Sequence, residues 1–214
     1  MYITFIAPPA AGKGTFSKMI SKKYGIPHIS TGDLLRNTND ENIKQKLTNG
    51  EFINDEIITN LLFDRLNEND SKKGYVLDGF PRNLNQAKIY DTYLENKGKK
   101  QIVLILDLPK EIAAKRIIGR KTCPNCGAVY NDMFDNLKPT QKDICDKCQN
   151  HLVHRTDDNE ETFEKRYQTY LEETYPLVKH YENKKNAHHI KADDEANKIF
   201  KEIEKIIGGL NGNN

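Results

Sequence analysis

The 214-residue sequence contains no apolar run near the length of about 20 residues that a membrane-spanning helix requires. Charged residues make up 30% of the chain, and the mean hydropathy is −0.77. The N-terminus also lacks a basic leader followed by an apolar stretch, so no signal peptide is predicted. These absences argue against an integral membrane protein and predict a soluble, cytoplasmic one.

Arginine is scarce as well, since only seven of the 33 lysines and arginines are arginine. Arginine offers a planar fork of donors that binds phosphate through two hydrogen bonds, which lysine cannot do. A chain that otherwise uses lysine for positive charge is therefore expected to keep arginine at phosphate-binding positions. The net charge of +2 does not by itself require nucleic acid or an anionic membrane as a partner. The seven are Arg36, Arg65, Arg82, Arg116, Arg120, Arg155 and Arg166.

The chain has no internal repeats, and its length is that of one domain or of one core with small insertions. Five apolar runs rich in β-forming residues are separated by stretches with helical spacing. This alternation predicts an α/β fold, in which helices cover both faces of a parallel sheet. Such sheets bind ligands at the carboxyl ends of their strands. The five runs are 2–6, 27–29, 75–77, 102–106 and 187–190.

A loop of small residues joins the first apolar run to a helical segment, 16–24. Strand, small-residue loop, Gly-Lys, hydroxyl residue and helix is the arrangement of a phosphate-binding P-loop. In such a loop, main-chain N–H groups surround phosphate oxygens, and the positive end of the helix points at them. We expect Lys13 to reach the terminal phosphates and Thr15 to lie where Mg²⁺ needs a ligand. The alternative is a plain turn before a helix. The loop reads Ala7-Pro8-Pro9-Ala10-Ala11-Gly12-Lys13-Gly14-Thr15.

All four cysteines lie in the stretch 119–158, which has no helical periodicity. They form two C-x₂-C pairs with 18 residues between them, the spacing of a four-thiolate zinc ribbon. We expect an inserted subdomain in which structural Zn²⁺ replaces a hydrophobic core. Disulfides are the main alternative, which a cytosolic chain disfavours. His151 and His154 lie nearby and are expected to be surface residues. The predicted ligands are Cys123, Cys126, Cys145 and Cys148.

Three further segments carry a resemblance to a known family. They are Ile26-Pro27-His28-Ile29-Ser30-Thr31-Gly32-Asp33-Leu34-Leu35-Arg36, Val76-Leu77-Asp78-Gly79-Phe80-Pro81-Arg82 with Gln86 beyond, and Arg155-Thr156-Asp157-Asp158-Asn159-Glu160-Glu161-Thr162 with Arg166. With the P-loop and the cysteine pairs, they closely resemble adenylate kinase in its long, zinc-bearing form, over nearly the whole chain. The resemblance implies a P-loop core with a central five-stranded parallel sheet, made of residues 1–29, 54–118 and 159–214. Residues 30–53 would be a small AMP-binding insertion, and residues 119–158 a lid over ATP.

The resemblance also implies reversible, Mg²⁺-dependent transfer of the ATP γ-phosphoryl group to AMP, giving two ADP, by a monomer without nucleic-acid or membrane partners. The residues implied to bind ATP are Ala10, Ala11, Gly12, Lys13, Gly14, Thr15, Arg116, Arg120, Val129 and Tyr130. Those implied to bind AMP are Thr31, Arg36, Glu51, Phe52, Ile53, Gly79, Phe80, Pro81, Arg82, Gln86, Arg155 and Arg166. The implied catalytic set is Lys13, Asp78, Arg82, Arg116, Arg120, Arg155 and Arg166, with Asp78 holding Mg²⁺ through water. Arg65 is left as an ordinary surface residue.

The chain departs from the family pattern at Ala7 and Ala10, where relatives usually carry glycine. Alanine costs roughly 1 kcal/mol wherever φ must be positive, so the departure bears on turnover and ATP affinity rather than on the type of reaction. Glu51 stands where relatives often carry lysine. Asp33 is expected either to cap a helix or to serve the site.

Three other functions compete with this interpretation: a UMP/CMP kinase, a nucleic-acid-binding zinc ribbon on a P-loop NTPase, and a nucleotide sensor without activity. Thr31 and the long cysteine-bearing insertion favour AMP over UMP or CMP. The acidic residues of the ribbon argue against nucleic acid, whose binding calls for basic and aromatic residues interleaved on one face. The sensor hypothesis rests only on Ala7 and Ala10.

Overall fold

The computed structural model describes residues 1–48, 53–155 and 158–211. Its described strands are β1 (Tyr2–Ile6), β2 (His28–Ser30), β3 (Tyr75–Asp78), β4 (Gln101–Asp107), β5 (Arg120–Thr122), β6 (Val129–Asn131) and β7 (Ala187–Lys191). Five of them form one parallel sheet in the order β2-β3-β1-β4-β7, which confirms the predicted α/β sheet. β2 begins one residue later than expected because Pro27 has no N–H for the ladder. Only its carbonyl takes part, accepting from Val76 N–H at 2.9 Å.

Helices connect the strands and flank the sheet. They are α1 (Lys13–Tyr24), α2 (Thr31–Arg36), α3 (Glu41–Thr48), α4 (Asp55–Leu66), α5 (Leu84–Asn96), α6 (Lys110–Ile118), α7 (Glu160–Thr169), α8 (Pro176–Asn183) and α9 (Ala196–Asn211). A π-helical turn, Tyr170–Thr174, joins α7 to α8. Among the described residues, no helix combines the length and the apolar character that crossing a membrane requires.

Side-chain caps define where several helices begin. At α2, α4, α5 and α7 a serine or asparagine oxygen accepts a hydrogen bond from a backbone N–H in the first turn, as expected for good capping residues. The cap of α2 is Ser30, whose Oγ accepts from Asp33 N–H at 3.3 Å. Asp33 therefore does not cap this helix. It lies inside the first turn and pairs with Arg36 at 2.5 Å.

The sheet is buried on both faces, as parallel sheets generally are. Alternate residues of β1 and β4 point to opposite sides. Ile3 and Phe5 pack in a cluster with α1, α6 and α9, whereas Ile6 packs with β4 and α8. A third cluster joins β3 to α4 and α5. This apolar packing holds the sheet rigid and brings the loops after β1, β3 and β4 to one edge.

The stretch between α6 and α7 has a different structure. We call residues 119–155 the ribbon. Its described residues contain no α-helix, only the antiparallel pair β5–β6, a 3₁₀ turn at Asp135–Leu137 and two isolated bridges. The bridges join Thr122 to Val153 and Ile144 to His151. The absence of helical periodicity in the sequence thus corresponds to a small set of short β ladders.

Candidate active site

The P-loop leaves the carboxyl end of β1 and enters α1 at Lys13. Gly12 precedes the helix with φ of +93°, and a Cβ there would come within 2.9 Å of the Phe16 ring, so glycine is required for both reasons. Ala10 also has positive φ, +60°. One of the two departures from the family pattern therefore does fall in the left-handed region, whereas Ala7 is buried without positive φ.

Lys13 is folded back on this loop. Its Nζ donates to the carbonyl oxygen of Ala7 at 2.9 Å and to that of Pro8 at 3.2 Å. Burial lowers the pKa of Lys13 to about 8, which the negative charge of Asp78 opposes and the positive charges of Arg82 and Arg166 reinforce. The structure thus brings the four charged groups within electrostatic reach of one another. A phosphate near Lys13 would favour the charged ammonium.

Asp78 ends β3 beside the P-loop. A Cβ added at Gly14 would lie 3.3 Å from its Oδ2, so the small residue allows the carboxylate to approach. His28 Nε2 lies 3.3 Å from the same oxygen. Burial alone raises the pKa of Asp78, but the His28 contact and the charges of Lys13 and Arg82 outweigh it, and the net pKa lies below the usual value. Asp78 is therefore ionised at neutral pH and suited to hold a hydrated cation.

The turn after Asp78 is built on Gly79, which has φ of +87°. Its carbonyl oxygen accepts from Thr31 Oγ1 at 2.9 Å and from Arg82 Nε at 2.8 Å. A Cβ at Gly79 would lie 2.9 Å from Thr31 Oγ1 and 3.1 Å from Arg82 Nη2. One main-chain oxygen thus fixes a residue of α2 and the exposed guanidinium of Arg82 at the carboxyl edge of the sheet.

The other residues predicted to bind AMP fall into two groups. Arg36 is exposed and paired with Asp33. By contrast, Phe80, Pro81 and Ile53 are buried, and their side chains belong to the apolar core or lie beside it. Their backbones remain the groups that could meet a ligand. Glu51 and Phe52 lie outside the described residues.

Gln86 is 2% exposed, and its side-chain amide forms two short hydrogen bonds. Its Nε2 donates to Asp55 Oδ1 at 2.6 Å, and its Oε1 accepts from Arg82 N–H at 2.7 Å. Asp55 also accepts from Asn83 Nδ2 at 3.0 Å and from Asn85 Nδ2 at 3.3 Å. Three side-chain amides thus converge on one carboxylate at the start of α4.

The arginines around the ribbon meet a buried carboxylate. Arg120 Nε and Nη2 donate to the two oxygens of Asp158 at 2.7 and 2.5 Å, and Arg166 Nη1 lies 4.0 Å away. The side chain of Asp158 is fully buried. Arg155, whose carbonyl oxygen accepts from Asp158 N–H at 3.1 Å, is exposed. Asp158 thus binds the Arg120 guanidinium through two charge-assisted hydrogen bonds. Asp157 lies outside the described residues.

Arg116 joins the last turn of α6 to the ribbon. Its carbonyl oxygen accepts from Asn131 Nδ2 at 2.9 Å. Its side chain is half-buried, and burial lowers the pKa of its guanidinium while the charge of Asp193 opposes the shift. Arg65, in contrast, forms a two-pronged pair with Asp70 at 2.7 and 2.8 Å far from the P-loop.

The four cysteines of the ribbon come together. Their Sγ atoms all lie within 4.8 Å of one another, with Cys123–Cys148 at 3.4 Å and Cys126–Cys145 at 3.5 Å. None is in a disulfide. A tetrahedral Zn²⁺ with Zn–S bonds of about 2.3 Å places its sulfurs about 3.8 Å apart, so the donor set fits that ion. The set has four thiolates and hence no open position for a substrate.

The two C-x₂-C turns are built alike. In the first turn, Cys123 N–H donates to the carbonyl oxygen of Ala128, and the Cys123 carbonyl oxygen accepts from Gly127 N–H. In the second, Cys145 N–H donates to the carbonyl oxygen five residues later, and the Cys145 carbonyl oxygen accepts from Gln149 N–H. Gly127 and Gln149 have φ of +67° and +60°. Glycine suits this left-handed conformation, whereas a glutamine in the same conformation has no signal in the sequence.

Val129 and Tyr130, which the resemblance implies bind ATP, face opposite sides of β6. Val129 is half exposed, at 49%. Tyr130 is buried among the cysteines, and its hydroxyl accepts from Asp146 N–H at 2.8 Å. In this conformation the Tyr130 side chain serves the ribbon core, and Val129 is the one available to a ligand.

Two residues of the site, His28 and Asp55, were not found from the sequence. β2 pairs with β3 so that Ser30 lies opposite Asp78. His28 is two residues before Ser30 and therefore lies on the same face of the sheet, where it meets Asp78. The sequence does not say which strands are neighbours, so this contact has no signal in it. Asp55 follows a capping asparagine, where an acidic residue is ordinary.

Comparison with known proteins identifies the family. The family model for adenylate kinase matches residues 5–186. The chain is 40% identical over 215 residues to the adenylate kinase of Thermotoga neapolitana, covering 97% of each chain. It is 41% identical over 215 residues to that of Clostridium perfringens strain SM101, covering 97% of this chain and 99% of the relative. It is 39% identical over 222 residues to that of Clostridium tetani, covering 99% and 100%. The chain therefore belongs to the adenylate kinase family and is a phosphotransferase of the nucleoside monophosphate kinase type.

Proposed function

We propose that the protein transfers the γ-phosphoryl group of Mg²⁺-bound ATP reversibly to AMP, giving two ADP. The observation that carries the proposal is the convergence of Lys13, Asp78, Arg82 and Arg166 at the carboxyl edge of the sheet. Phosphoryl transfer requires alignment of donor and acceptor and positive charge around the moving group, with little covalent chemistry from the protein. No general base is needed, because AMP attacks with an ionised phosphate oxygen.

On the donor side, the backbone of residues 10–15 and the N-terminus of α1 would bind the ATP phosphates. Lys13 would exchange the carbonyl oxygens of Ala7 and Pro8 for phosphate oxygens. This fits a loop in which, among the described residues, neutral carbonyl oxygens accept the hydrogen bonds of its ammonium. Thr15 would supply a hydroxyl ligand to Mg²⁺. Asp78, ionised and next to Gly14, would hold the same ion through water.

On the acceptor side, Arg36 and Arg82 would bind the AMP phosphate. The base would lie against Thr31, Gln86 and the backbone of Ile53 and Gly79. Support comes from the shared anchoring of Thr31 and Arg82 on one carbonyl oxygen, which sets their spacing before a ligand arrives. Such preorganisation reduces the entropy cost of binding.

Closure would bring Arg116, Arg120, Arg155 and Arg166 around the transferring group. The Arg120–Asp158 pair supports this step, because Asp158 holds the guanidinium with the geometry that phosphate would use. We infer the corresponding division into a core (1–29, 54–118 and 159–214), an AMP-binding insertion (30–53) and a lid (119–158) that excludes water from the phosphoryl group.

Zn²⁺ bound by the four cysteines would stabilise the lid and take no part in the chemistry, since a closed thiolate set offers no coordination site to a substrate. Nucleic acid is not expected as a partner, because Lys121 of the ribbon is paired with Asp132 and Asp143 at 2.5 Å each. The monomeric state and the cytoplasmic location stay predictions.

The direct test is ADP formation from ATP and Mg²⁺ with AMP, UMP, CMP or GMP as the second substrate. AMP should be the preferred acceptor, and omission of Mg²⁺ should abolish turnover. A tenfold better rate with UMP or CMP would contradict the assignment of Thr31 and Gln86. Binding of ATP without any turnover would instead favour a nucleotide sensor.

A further inference from the structure

The carboxylate of Asp55 determines which way the Gln86 amide faces. The two ends of a glutamine amide are hard to tell apart by shape, and their assignment must come from their partners. Here the partners decide it. An ionised carboxylate can only accept, so the group 2.6 Å from Asp55 Oδ1 is the NH₂. The backbone N–H of Arg82 can only donate, so the group 2.7 Å from it is the carbonyl oxygen.

This arrangement leaves part of the hydrogen-bonding capacity of the Gln86 amide unused. A primary amide donates two hydrogen bonds and accepts two. Within the described part of the chain, the Gln86 side chain makes one of each. One N–H and one oxygen lone pair remain without a partner in the described residues, and the two bonds already made set which end of the amide carries each. Adenine presents an acceptor at N1 beside a donor at N6, which complements this arrangement. A 6-oxopurine presents a donor at N1 beside an acceptor at O6, which does not.

Asp55 is itself held in place. Asn83 Nδ2 donates to both of its oxygens, at 3.2 and 3.0 Å, and Asn85 Nδ2 donates to Oδ2 at 3.3 Å. Asn83 also caps α5 by accepting from Gln86 N–H at 2.9 Å. No lysine or arginine among the described residues forms an ion pair with Asp55. Neutral amides are therefore the side-chain partners of this half-buried carboxylate in the described residues, and the cluster joins the first turns of α4 and α5.

We propose that Asp55 is a positioning residue for acceptor specificity: it locks the Gln86 amide in the orientation that pairs with adenine and opposes pairing with 6-oxopurine monophosphates. This inference rests on the proposed function, in which Gln86 meets the acceptor base. Turning the amide over would place its carbonyl oxygen against the carboxylate and its NH₂ against Arg82 N–H. Both contacts are repulsive, so the wrong orientation is disfavoured by charge as well as by lost hydrogen bonds.

The test is steady-state kinetics of Asp55→Ala with AMP and with IMP as acceptor, each with saturating Mg²⁺-ATP. The variant should raise the KM for AMP about tenfold, the scale of one hydrogen bond to a charged group. The kcat and the KM for ATP should stay within about twofold, because the lost group acts on binding of the acceptor base. The ratio of kcat/KM for AMP over IMP should fall about tenfold, since the freed amide can turn to serve either base.

Matched variants separate this role from a structural one. Glu56→Ala removes a neighbouring exposed carboxylate from the same first turn of α4 and should leave the AMP/IMP ratio unchanged. Asp55→Asn keeps an acceptor oxygen but not the charge, and should lower the ratio about threefold, since neutral hydrogen bonds are weaker than charge-assisted ones. Circular dichroism checks that each variant is folded. If Asp55→Ala does not fold, the AMP/IMP ratio of Asp55→Asn provides the test.

Gln86→Ala distinguishes failure of this inference from failure of the proposed function. If Gln86→Ala leaves the AMP/IMP ratio unchanged, the base does not lie against Gln86 and the proposed acceptor site is wrong. If Gln86→Ala lowers the ratio but folded Asp55 variants keep the wild-type value, only the role of Asp55 is overturned. An equal fall in Glu56→Ala would also overturn it, because the effect would then belong to the charge of the helix end.

Discussion

In the core, the largest fully buried side chains are aromatic and aliphatic, among them Tyr75, Tyr90, Tyr181, Phe5 and Phe80. The ribbon contributes none of these. Its buried cluster consists of two cysteines, an alanine, a tyrosine and a leucine, with a third cysteine packed against it. The core can thus be stabilised by apolar burial at about 25 cal/mol per Å². The ribbon has little buried apolar surface, which is consistent with our proposal that Zn²⁺ bound by its cysteines stabilises it.

The comparison also predicts which residues govern turnover and which govern stability. Lys13 begins α1, Asp78 ends β3 and Arg82 lies in the turn that follows, all at the carboxyl edge of the buried sheet. None of them touches the cysteine cluster in the described residues. The cysteines bring no open coordination position. Substitutions in the core site should therefore change turnover with little change in melting, and substitutions in the cysteine cluster should do the reverse. The following variants test this contrast.

The largest effect is expected from Cys145→Ser. Structural zinc sites in finger peptides bind with apparent free energies of about 10–16 kcal/mol, and loss of a buried thiolate removes most of the ribbon's stabilisation. We expect loss of one Zn²⁺ per chain by elemental analysis, and unfolding of the ribbon at a lower temperature than the core. Activity at low temperature should change less than the melting profile.

His154→Ala is the matched control for this variant, because it lies beside the second pair and is exposed outside the sulfur cluster. It should keep its zinc and its melting profile. A quadruple Cys→Ser protein that melts like the wild type would rule out the structural-zinc proposal, and so would purified protein without metal.

Lys13→Ala should give the next largest effect. Removing a preorganised cation from the site costs about 10²–10³-fold in kcat, or roughly 3–4 kcal/mol. The variant should melt like the wild type and keep its zinc, because Lys13 makes no contact with the ribbon. The measurement is kcat with AMP at saturating Mg²⁺-ATP, beside a thermal melt.

Lys22→Ala, an exposed lysine of the same helix, is the control for loss of charge and should keep wild-type kcat. Near-normal turnover by Lys13→Ala would mean that the P-loop lysine is not part of the phosphate site. A large loss of stability would mean that its hydrogen bonds to Ala7 and Pro8 are mainly structural.

The third largest effect, a change in stability of about 1 kcal/mol, is expected from substitutions in the two C-x₂-C turns of the ribbon. Gly127→Ala puts a Cβ at φ of +67°, which costs about 1–2 kcal/mol. Gln149→Gly removes the same strain at φ of +60° and should stabilise the ribbon by a smaller amount, since glycine also gains entropy in the unfolded chain. Zinc retention against a chelator should fall in the first variant and rise in the second. Equal changes of the same sign would contradict the equivalence of the two turns.

The sheet and the cysteine cluster were predictable for different reasons. Apolar runs such as 102–106 mark buried strands because a parallel sheet excludes water from both faces. Two C-x₂-C pairs at this spacing are typical of a zinc ribbon, and the four sulfurs do come together. The contacts of Asp55 with Gln86 and of His28 with Asp78 were not predictable. They depend on which helix ends and strands become neighbours, and that is decided by packing across the chain. Tyr130 shows the same limit: its place between the two cysteine pairs is evident from the sequence, but not that its side chain faces the cysteines.

The smallest effect should come from Ala10→Gly in the P-loop. Ala10 has φ of +60°, so glycine relieves roughly 1 kcal/mol of backbone strain, but the more flexible unfolded chain offsets about 0.5–1 kcal/mol of that gain. The net free energy of unfolding should rise by less than about 1 kcal/mol, as measured by urea denaturation. Ala11→Gly is the control, because Ala11 is 1% exposed and does not have positive φ. At Ala11, glycine makes the unfolded chain more flexible and removes a buried methyl group, so the free energy of unfolding should fall. A fall in both variants would show that the loop tolerates Ala10 without strain, and that its departure from the family's glycine has no energetic consequence.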